Sequence, residues 1–571
     1  MQSPTHPIVA GLQNSASRSQ ALSSDPARES DENFESRPAV RRAPWAIVLI
    51  IAALLPSTVW IARDHTPWPW DQAWYGEVSV DLWFYLTHSW LGWVTTMLTG
   101  INTKPPGIVW LGQFFVPLGA AFGSIEKALL LLVLLTQAVT LYLIFRIGRG
   151  IAPGSNMIAP LGVCMAAATQ SFVGLSHQFF VEPLQALSVA WIVLVAVRCA
   201  EWPSARIVLQ AGAALVLGVL AKATTPVYCF VPCLYIGVIL IRRPLGQGWK
   251  DELRRPLVRV IAGFTAITLP LTLLWYAVNL KAAWQHVRDS SSGGIALHYG
   301  FHAPLGQKVI VWLGLMDQSF LSPYLGWVVI LAAIIGIAAR FRSRSKRALP
   351  PGVGAAAVAC GIQCGLLLVM FSLNDAVDAR YMYPMLTLIA AIAMAACAPI
   401  QSRKAFAVMF SICALQFAVV NLVALGKAAP LSNQFGWLIK PSEDPGRFHD
   451  VESVVRMTSA VAGRNNIVGV EEPWLNANTA SFFAAKHRLE TGTRSYFSSL
   501  GYAEKDLKSA EKRVDELNPM YFITLKEAFQ TNPPDFLNAV SLPMLERVRT
   551  DTRFTEVATA SPTGVLVFRR H

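Results

Sequence analysis

The residues of this chain best placed to do chemistry are one carboxylate, Asp71, and a few charged side chains beside long apolar runs: Lys104, Glu182, Lys222 and Arg380. Ionisable groups in or next to membrane segments are costly and are functional candidates by default. Asp71 lies in Trp70-Asp71-Gln72-Ala73-Trp74-Tyr75-Gly76-Glu77, between two tryptophans that can wall off water. Partial desolvation raises a carboxylate's pKa and makes it a better base. Lys104 precedes Pro105 and Pro106, a rigid start to the apolar stretch from Gly107. A lysine there either snorkels to headgroups or binds a phosphate as a compact point charge. A general base and a phosphate-binding cation at the bilayer surface point to chemistry on a lipid phosphate.

Each remaining candidate also has a plain structural reading. Glu182, followed by Pro183, opens an apolar helix, where a helix amino terminus favours negative charge anyway. Lys222, in Leu220-Ala221-Lys222-Ala223-Thr224-Thr225-Pro226, lies between two apolar segments and could simply snorkel. Arg380 follows Asp375 and Asp378 in Asp378-Ala379-Arg380-Tyr381-Met382-Tyr383-Pro384, where a local pair with Asp378 would explain it. Glu77 and Asp81, four apart, share a helical face and fit helix-cap or surface charges. His298 and His302 are also four apart, but without a Cys or acidic ligand pattern no metal site is expected. HExxH, P-loop, strand-linked GxGxxG and GxSxG motifs are absent.

Membrane helices must position these groups. Of 571 residues, 53% are hydrophobic and 15% charged, and the mean hydropathy is +0.42. Soluble domains carry about 25% charged residues. Apolar runs of about 20 residues read as spans. They fall near 45–62, 127–146, 157–175, 179–198, 206–222, 226–241, 258–279, 323–340, 353–372, 383–399 and 405–425, while 107–122 and 308–320 are ambiguous. The net charge of +13 does not indicate nucleic acid, because the basic residues flank the spans: Arg41 and Arg42, Arg146 and Arg149, Arg198 and Arg206, Arg242 through Arg259, Arg340 through Arg347, and Arg403 with Lys404. This is the positive-inside pattern. If 107–122 and 308–320 are re-entrant or interfacial, every basic cluster is cytoplasmic. Eleven spans then place the amino terminus inside, with loop 64–106, the Arg380 loop and the tail after 425 outside. Up to 13 spans remain compatible with the sequence.

Three regions are expected. Residues 1–44 form a disordered cytoplasmic tail, poor in bulky apolar residues. Residues 45–426 form the membrane domain, whose first apolar run reads as a retained anchor. Residues 427–571 form an extracytoplasmic α/β domain, with strands at Ile467–Val470, Met520–Thr524 and Val565–Phe568 and a helix from Ala503 to Leu517. The eight cysteines lie in or beside apolar segments and imply no disulfide framework. No fixed-period repeat is visible.

The order of these pieces resembles the GT-C glycosyltransferases, in the branch of protein O-mannosyltransferases and lipid A aminoarabinose transferases. The matching elements are the acidic Asp71 motif, Lys104-Pro105-Pro106-Gly107, Glu182-Pro183-Leu184, Leu220-Ala221-Lys222 and Arg380-Tyr381-Met382-Tyr383-Pro384. The family's first motif usually carries two adjacent acids; here the second is Gln72. The later acid is often Asp; here it is Glu182. The resemblance implies transfer of a sugar from a polyprenyl-phosphate donor to an extracytoplasmic acceptor, whether glycan, lipid or protein, at a bacterial inner membrane. Asp71 would be the general base of an inverting displacement, and Lys104, Glu182, Lys222, Arg380, Tyr75 and Tyr381 the substrate-binding set. With three cations to serve the phosphate, no cofactor is required and a divalent metal is optional. A transporter or flippase for a lipid-linked or anionic substrate is the alternative, but such proteins place broken helices and charges near the midplane, often with repeats. A non-catalytic accessory subunit is the third reading, kept open by Gln72.

Overall fold

The computed structural model describes residues 44–201, 203–242, 256–342, 349–429, 438–459, 463, 465–500, 504–531, 536–557 and 561–571. The tail expected at 1–44 lies outside the described residues except for Pro44. The chain divides into two compact units, residues 1–49 and 50–571. In the first, the described residues 44–49 begin the helix Pro44–Arg63.

Eight helices among the described residues are long and apolar enough to cross a membrane: Pro44–Arg63, Ile125–Ile151, Glu182–Glu201, Thr225–Arg242, Val258–Leu297, Pro351–Leu373, Ala379–Cys397 and Arg403–Ala424. Leu305–Leu321 and Leu325–Ala332 meet the same criterion only as a pair bent by 93°. Ile158–Ala167 and Ala205–Ala221 are apolar but shorter. All eleven expected spans therefore coincide with apolar helices; 157–175 is broken and 206–222 short, and the 93° bend lies between the ambiguous stretch 308–320 and the helix Leu325–Arg342. The break at 157–175 has a local cause: the Thr169 side chain accepts from Phe172 N and caps a new helix, Gln170–Leu175. The ambiguous stretch 107–122 consists of three short helical pieces, each far too short to span.

Residues 64–106, expected as a loop, are mostly helical. They hold α1 (Trp70–His88) and α2 (Trp90–Thr99), divided by Ser89, whose side chain caps α2 by accepting from Gly92 N. The Lys-Pro-Pro unit then leads into α3 (Gly107–Gly112). Four further helices position the site: α4 (Glu182–Glu201), α5 (Ala205–Ala221), α6 (Pro256–Ser291) and α7 (Ala477–Thr491).

Residues 438–571 build a mixed five-stranded sheet of order β2-β1-β3-β5-β4. Its strands are β1 (Asn465–Val468), β2 (Tyr496–Ser499), β3 (Tyr521–Leu525), β4 (Phe554–Val557) and β5 (Val565–Arg570). β2, β1 and β3 run parallel, and β5 and β4 pair antiparallel. One face packs Ile467, Phe522, Leu566 and Phe568 against Val514, Met544 and Val548 of two helices. The expected strands and the helix within 503–517 are present; β2 and β4 are additional. α7 covers α1: a Cβ on Gly76 of α1 would approach the Phe482 ring to 2.9 Å, so glycine permits this close approach.

Candidate active site

The site starts at the first turn of α1. Pro69 is extended at the N-cap, Trp70 adopts a left-handed backbone (φ 27°), and Asp71 follows. A helix amino terminus stabilises a carboxylate. Asp71 Oδ2 accepts from Lys104 Nζ at 2.6 Å, while Oδ1 makes no hydrogen bond among the described residues. Burial pushes the Asp71 pKa up, but the charges of Lys104, Arg380 and His286 outweigh it and hold the carboxyl below its ordinary value. The expectation of a base raised by desolvation is thereby reversed: the two tryptophans do not isolate Asp71, because cations reach it. Asp71 is therefore ionised at neutral pH.

Lys104 sits over the rings of Trp74 and Tyr75, at 5.6 and 5.9 Å. Its motif packs backbone to backbone on the Lys222 motif, since a Cβ on Gly107 would lie 2.6 Å from the Leu220 carbonyl oxygen. Lys222 ends α5 in an extended conformation, its N–H bonded to Gly218 O. That turn sends its side chain to Glu182 Oε1, 2.9 Å away, and over the Tyr381 ring at 4.4 Å. Glu182, at the start of α4, is 3% exposed, and its Oε2 is buried with no hydrogen-bond partner among the described residues.

Arg380 does pair with Asp378, at 2.6 Å, and lies over the Phe180 ring at 4.6 Å. The pair does not isolate it, because its charge acts on both Asp71 and Glu182. Tyr75 is buried beside Asp71 and Glu182. Burial first, and then those two charges, push its phenol well above its usual pKa, so it stays a hydroxyl donor. The Tyr381 carbonyl accepts from Tyr228 at 2.5 Å. The seven residues singled out from the sequence therefore fall in one electrostatic cluster. Lys104, Lys222 and Arg380 keep 21, 21 and 27% of their side-chain surface exposed.

Other residues of this region were not legible in the sequence. His286 on α6 comes within electrostatic range of Asp71 and Lys104. Glu77 and Asp81, expected as cap or surface charges, are part-buried and buried, respectively, and grip Arg494, the residue two before β2, with Arg488 of α7 3.6 Å from Asp81. Burial, reinforced by Asp81 and opposed by Arg494, raises the Glu77 pKa above the carboxylate range. Trp70 Nε1 donates to Glu471 at 3.0 Å. These partners lie some 400 positions away in sequence, and no local spacing encodes them. Among the described residues no three His, Cys, Asp or Glu side chains gather as a metal site. His302 instead lies 3.5 Å from Asp375, which also holds Lys308.

No protein-family model matches the sequence, and no curated protein matches it. Solved structures do. ArnT from Cupriavidus metallidurans bound to undecaprenyl phosphate aligns with a TM-score of 0.57 at 14% identity, over 92% of this chain and 98% of that one. ArnT in the apo state gives 0.54 at 14% identity, over 92% and 97%. The chain has the GT-C fold. The mycobacterial arabinofuranosyltransferase AftD aligns over the same 92% of this chain and 40% of its own, at 12% identity and a TM-score of 0.50. The 8% of this chain outside the ArnT alignment is shorter than residues 438–571, so part of the sheet domain lies within that alignment.

Proposed function

We propose that this chain is a membrane glycosyltransferase that moves a sugar from a polyprenyl-phosphate donor to an extracytoplasmic acceptor. The observation that carries this reading is the convergence of Lys104 and Arg380 on the ionised Asp71 at the start of α1, with Lys222 paired to Glu182, on which Arg380 also acts. A leaving lipid phosphate gains negative charge as the glycosidic bond breaks, and preorganised cations at that point stabilise the transition state more than the ground state. The ArnT structure with undecaprenyl phosphate supports a donor of this class.

In this mechanism Asp71 Oδ1 accepts the proton of the acceptor hydroxyl or amine as it attacks the anomeric carbon. The phosphate leaves from the opposite face with the bonding pair, and the configuration inverts. Lys104 serves twice: it keeps Asp71 ionised and offers its remaining N–H donors to the phosphate. Lys222 and Arg380 bind the other phosphate oxygens, Glu182 holds Lys222 in place, and Tyr75 and Tyr381 line the sugar. The amino terminus is cytoplasmic in this reading, and the site and sheet domain face the opposite side of an inner membrane.

The test is release of undecaprenyl phosphate from undecaprenyl-phosphate-linked sugars by the purified chain. Asp71→Asn should lower turnover by about 10²–10⁴-fold while undecaprenyl phosphate still binds. Release from no donor, or full turnover by Asp71→Asn, sinks the proposal.

A further inference from the structure

The segment that delivers Asp71 is held by the sheet domain rather than by the membrane helices alone. Trp68 stacks between Phe179 and Phe482, at ring separations of 5.5 and 5.2 Å, and its carbonyl accepts from Thr479 Oγ1 at 2.7 Å. Two residues on, Trp70 carries the left-handed backbone. A bulky aromatic rarely adopts that conformation, and such strain persists only when surrounding contacts over-determine it. The contact here is the indole N–H, which donates to Glu471 Oε2 at 3.0 Å.

Glu471 is well fixed for this task. It lies just beyond the end of β1 and is 4% exposed. Its other carboxylate oxygen takes the Ser499 hydroxyl, its own N–H donates to Asn538 Oδ1 at 2.8 Å, and Asn538 Nδ2 donates back to its carbonyl at 3.4 Å. A buried acidic residue, its backbone held by Asn538 and its carboxylate by Ser499, therefore pins the residue immediately before Asp71. The first hydrogen bonds of α1, from Gln72 N and Ala73 N to Pro69 O, span the same turn.

We infer that Glu471 is a positioning residue for Asp71: through the Trp70 indole it locks the strained first turn of α1 so that the carboxylate meets Lys104. The positioning claim rests on the transferase reading for its effect on rate, and on geometry alone for its effect on the turn.

The test uses the full chain and three variants. Trp70→Phe keeps the ring and removes the N–H. Glu471→Ala removes the acceptor, and Glu471→Gln keeps one. Trp70→Phe and Glu471→Ala should lower kcat for undecaprenyl-phosphate sugar cleavage about tenfold or more. KM, and the Kd for undecaprenyl phosphate, should stay within about twofold, because Trp70 touches none of the three cations. Glu471→Gln should recover most of the rate. In hydrogen exchange the Gln72 and Ala73 amides should open at least about fivefold faster in the first two variants and not in the third, with the Val80 to Leu82 amides of the same helix unchanged. Equal exchange at Gln72 and Ala73 in wild type and Glu471→Ala overturns the inference, as does a loss spread equally over kcat, KM and the whole of α1. If wild type cleaves no donor, the transferase reading falls, and the exchange rates decide the positioning claim on their own.

Discussion

Arg494 offers the sharpest test of how the sheet domain is coupled to α1. Its guanidinium lies between Glu77 and Asp81, and the three side chains are only 12, 16 and 11% exposed. Arg494→Met leaves two largely enclosed carboxylates one helical turn apart, with Arg488, 3.6 Å from Asp81, as the remaining ion-pair partner among the described residues. Breaking a buried ion pair by removing one partner costs about 3–5 kcal/mol. At roughly 2–4 °C per kcal/mol, for a domain of this size, the melting step of the sheet domain should fall on the order of 10 °C. The loss has a pH signature. Glu77 already has a raised pKa in the folded chain, so its contribution to stability is fully present below the ordinary glutamate pKa and is lost as pH rises through the raised value. Removing Arg494 raises it further, so the variant should be much closer to wild type at pH 5 than at pH 8. A triple variant, Glu77→Gln, Asp81→Asn and Arg494→Met, removes both stranded carboxylates together with their shared cation, leaves Arg488 stacked on Phe84 and Tyr85, and should recover much of the lost stability. The assay is thermal unfolding of the detergent-solubilised chain, read by near-UV signal and by protease release of the sheet domain. An unshifted Arg494→Met, or a triple variant no better than the single, refutes the reasoning.

Further outcomes follow from the same geometry. Lys104→Met removes the main charge holding Asp71 below its ordinary pKa, so burial acts with less opposition and the acid limb of kcat/KM should move to higher pH; an unmoved limb argues against Asp71 as the titrating base. Lys222→Met strands the Glu182 carboxylate, 3% exposed, and should cost about 3–5 kcal/mol, with Glu182→Gln added to it restoring stability in the same thermal assay. Gly107→Ala places a Cβ 2.6 Å from a backbone carbonyl that cannot yield cheaply, and should lower kcat on the order of 10–100-fold by moving Lys104, whereas Gly212→Ala, in open space, should be silent.

The membrane helices were legible because hydropathy is a local property: each apolar run forms a helix to satisfy its backbone in lipid, whatever its neighbours do. Only lengths and breaks went astray, as at Thr169, where a side-chain cap ended one helix inside an apolar run. The loop at 64–106 was misread because α1 has almost no apolar periodicity; its face toward α7 is made of glycine, carboxylates and aromatics rather than aliphatic side chains. β2 and β4 were missed because four-residue strands at the sheet edges, only partly buried, carry little alternation.

The sequence by itself determined which charged residues flank the apolar runs and in what order, and the family resemblance carried by that order gathered Asp71, Tyr75, Lys104, Glu182, Lys222, Arg380 and Tyr381 as candidates. Tertiary structure decided their electrostatics. Whether Asp71 is raised or lowered depends on which cations approach through space, and the answer came from Lys104, 33 positions away, and from Arg380 and His286, farther still. It also decided that Glu77 and Asp81 clamp Arg494 rather than stand as surface charges, and that Glu471 reaches back some 400 positions to hold Trp70. Desolvation and Coulomb attraction are set by distance and surroundings in the folded chain, and neither can be read from spacing along it.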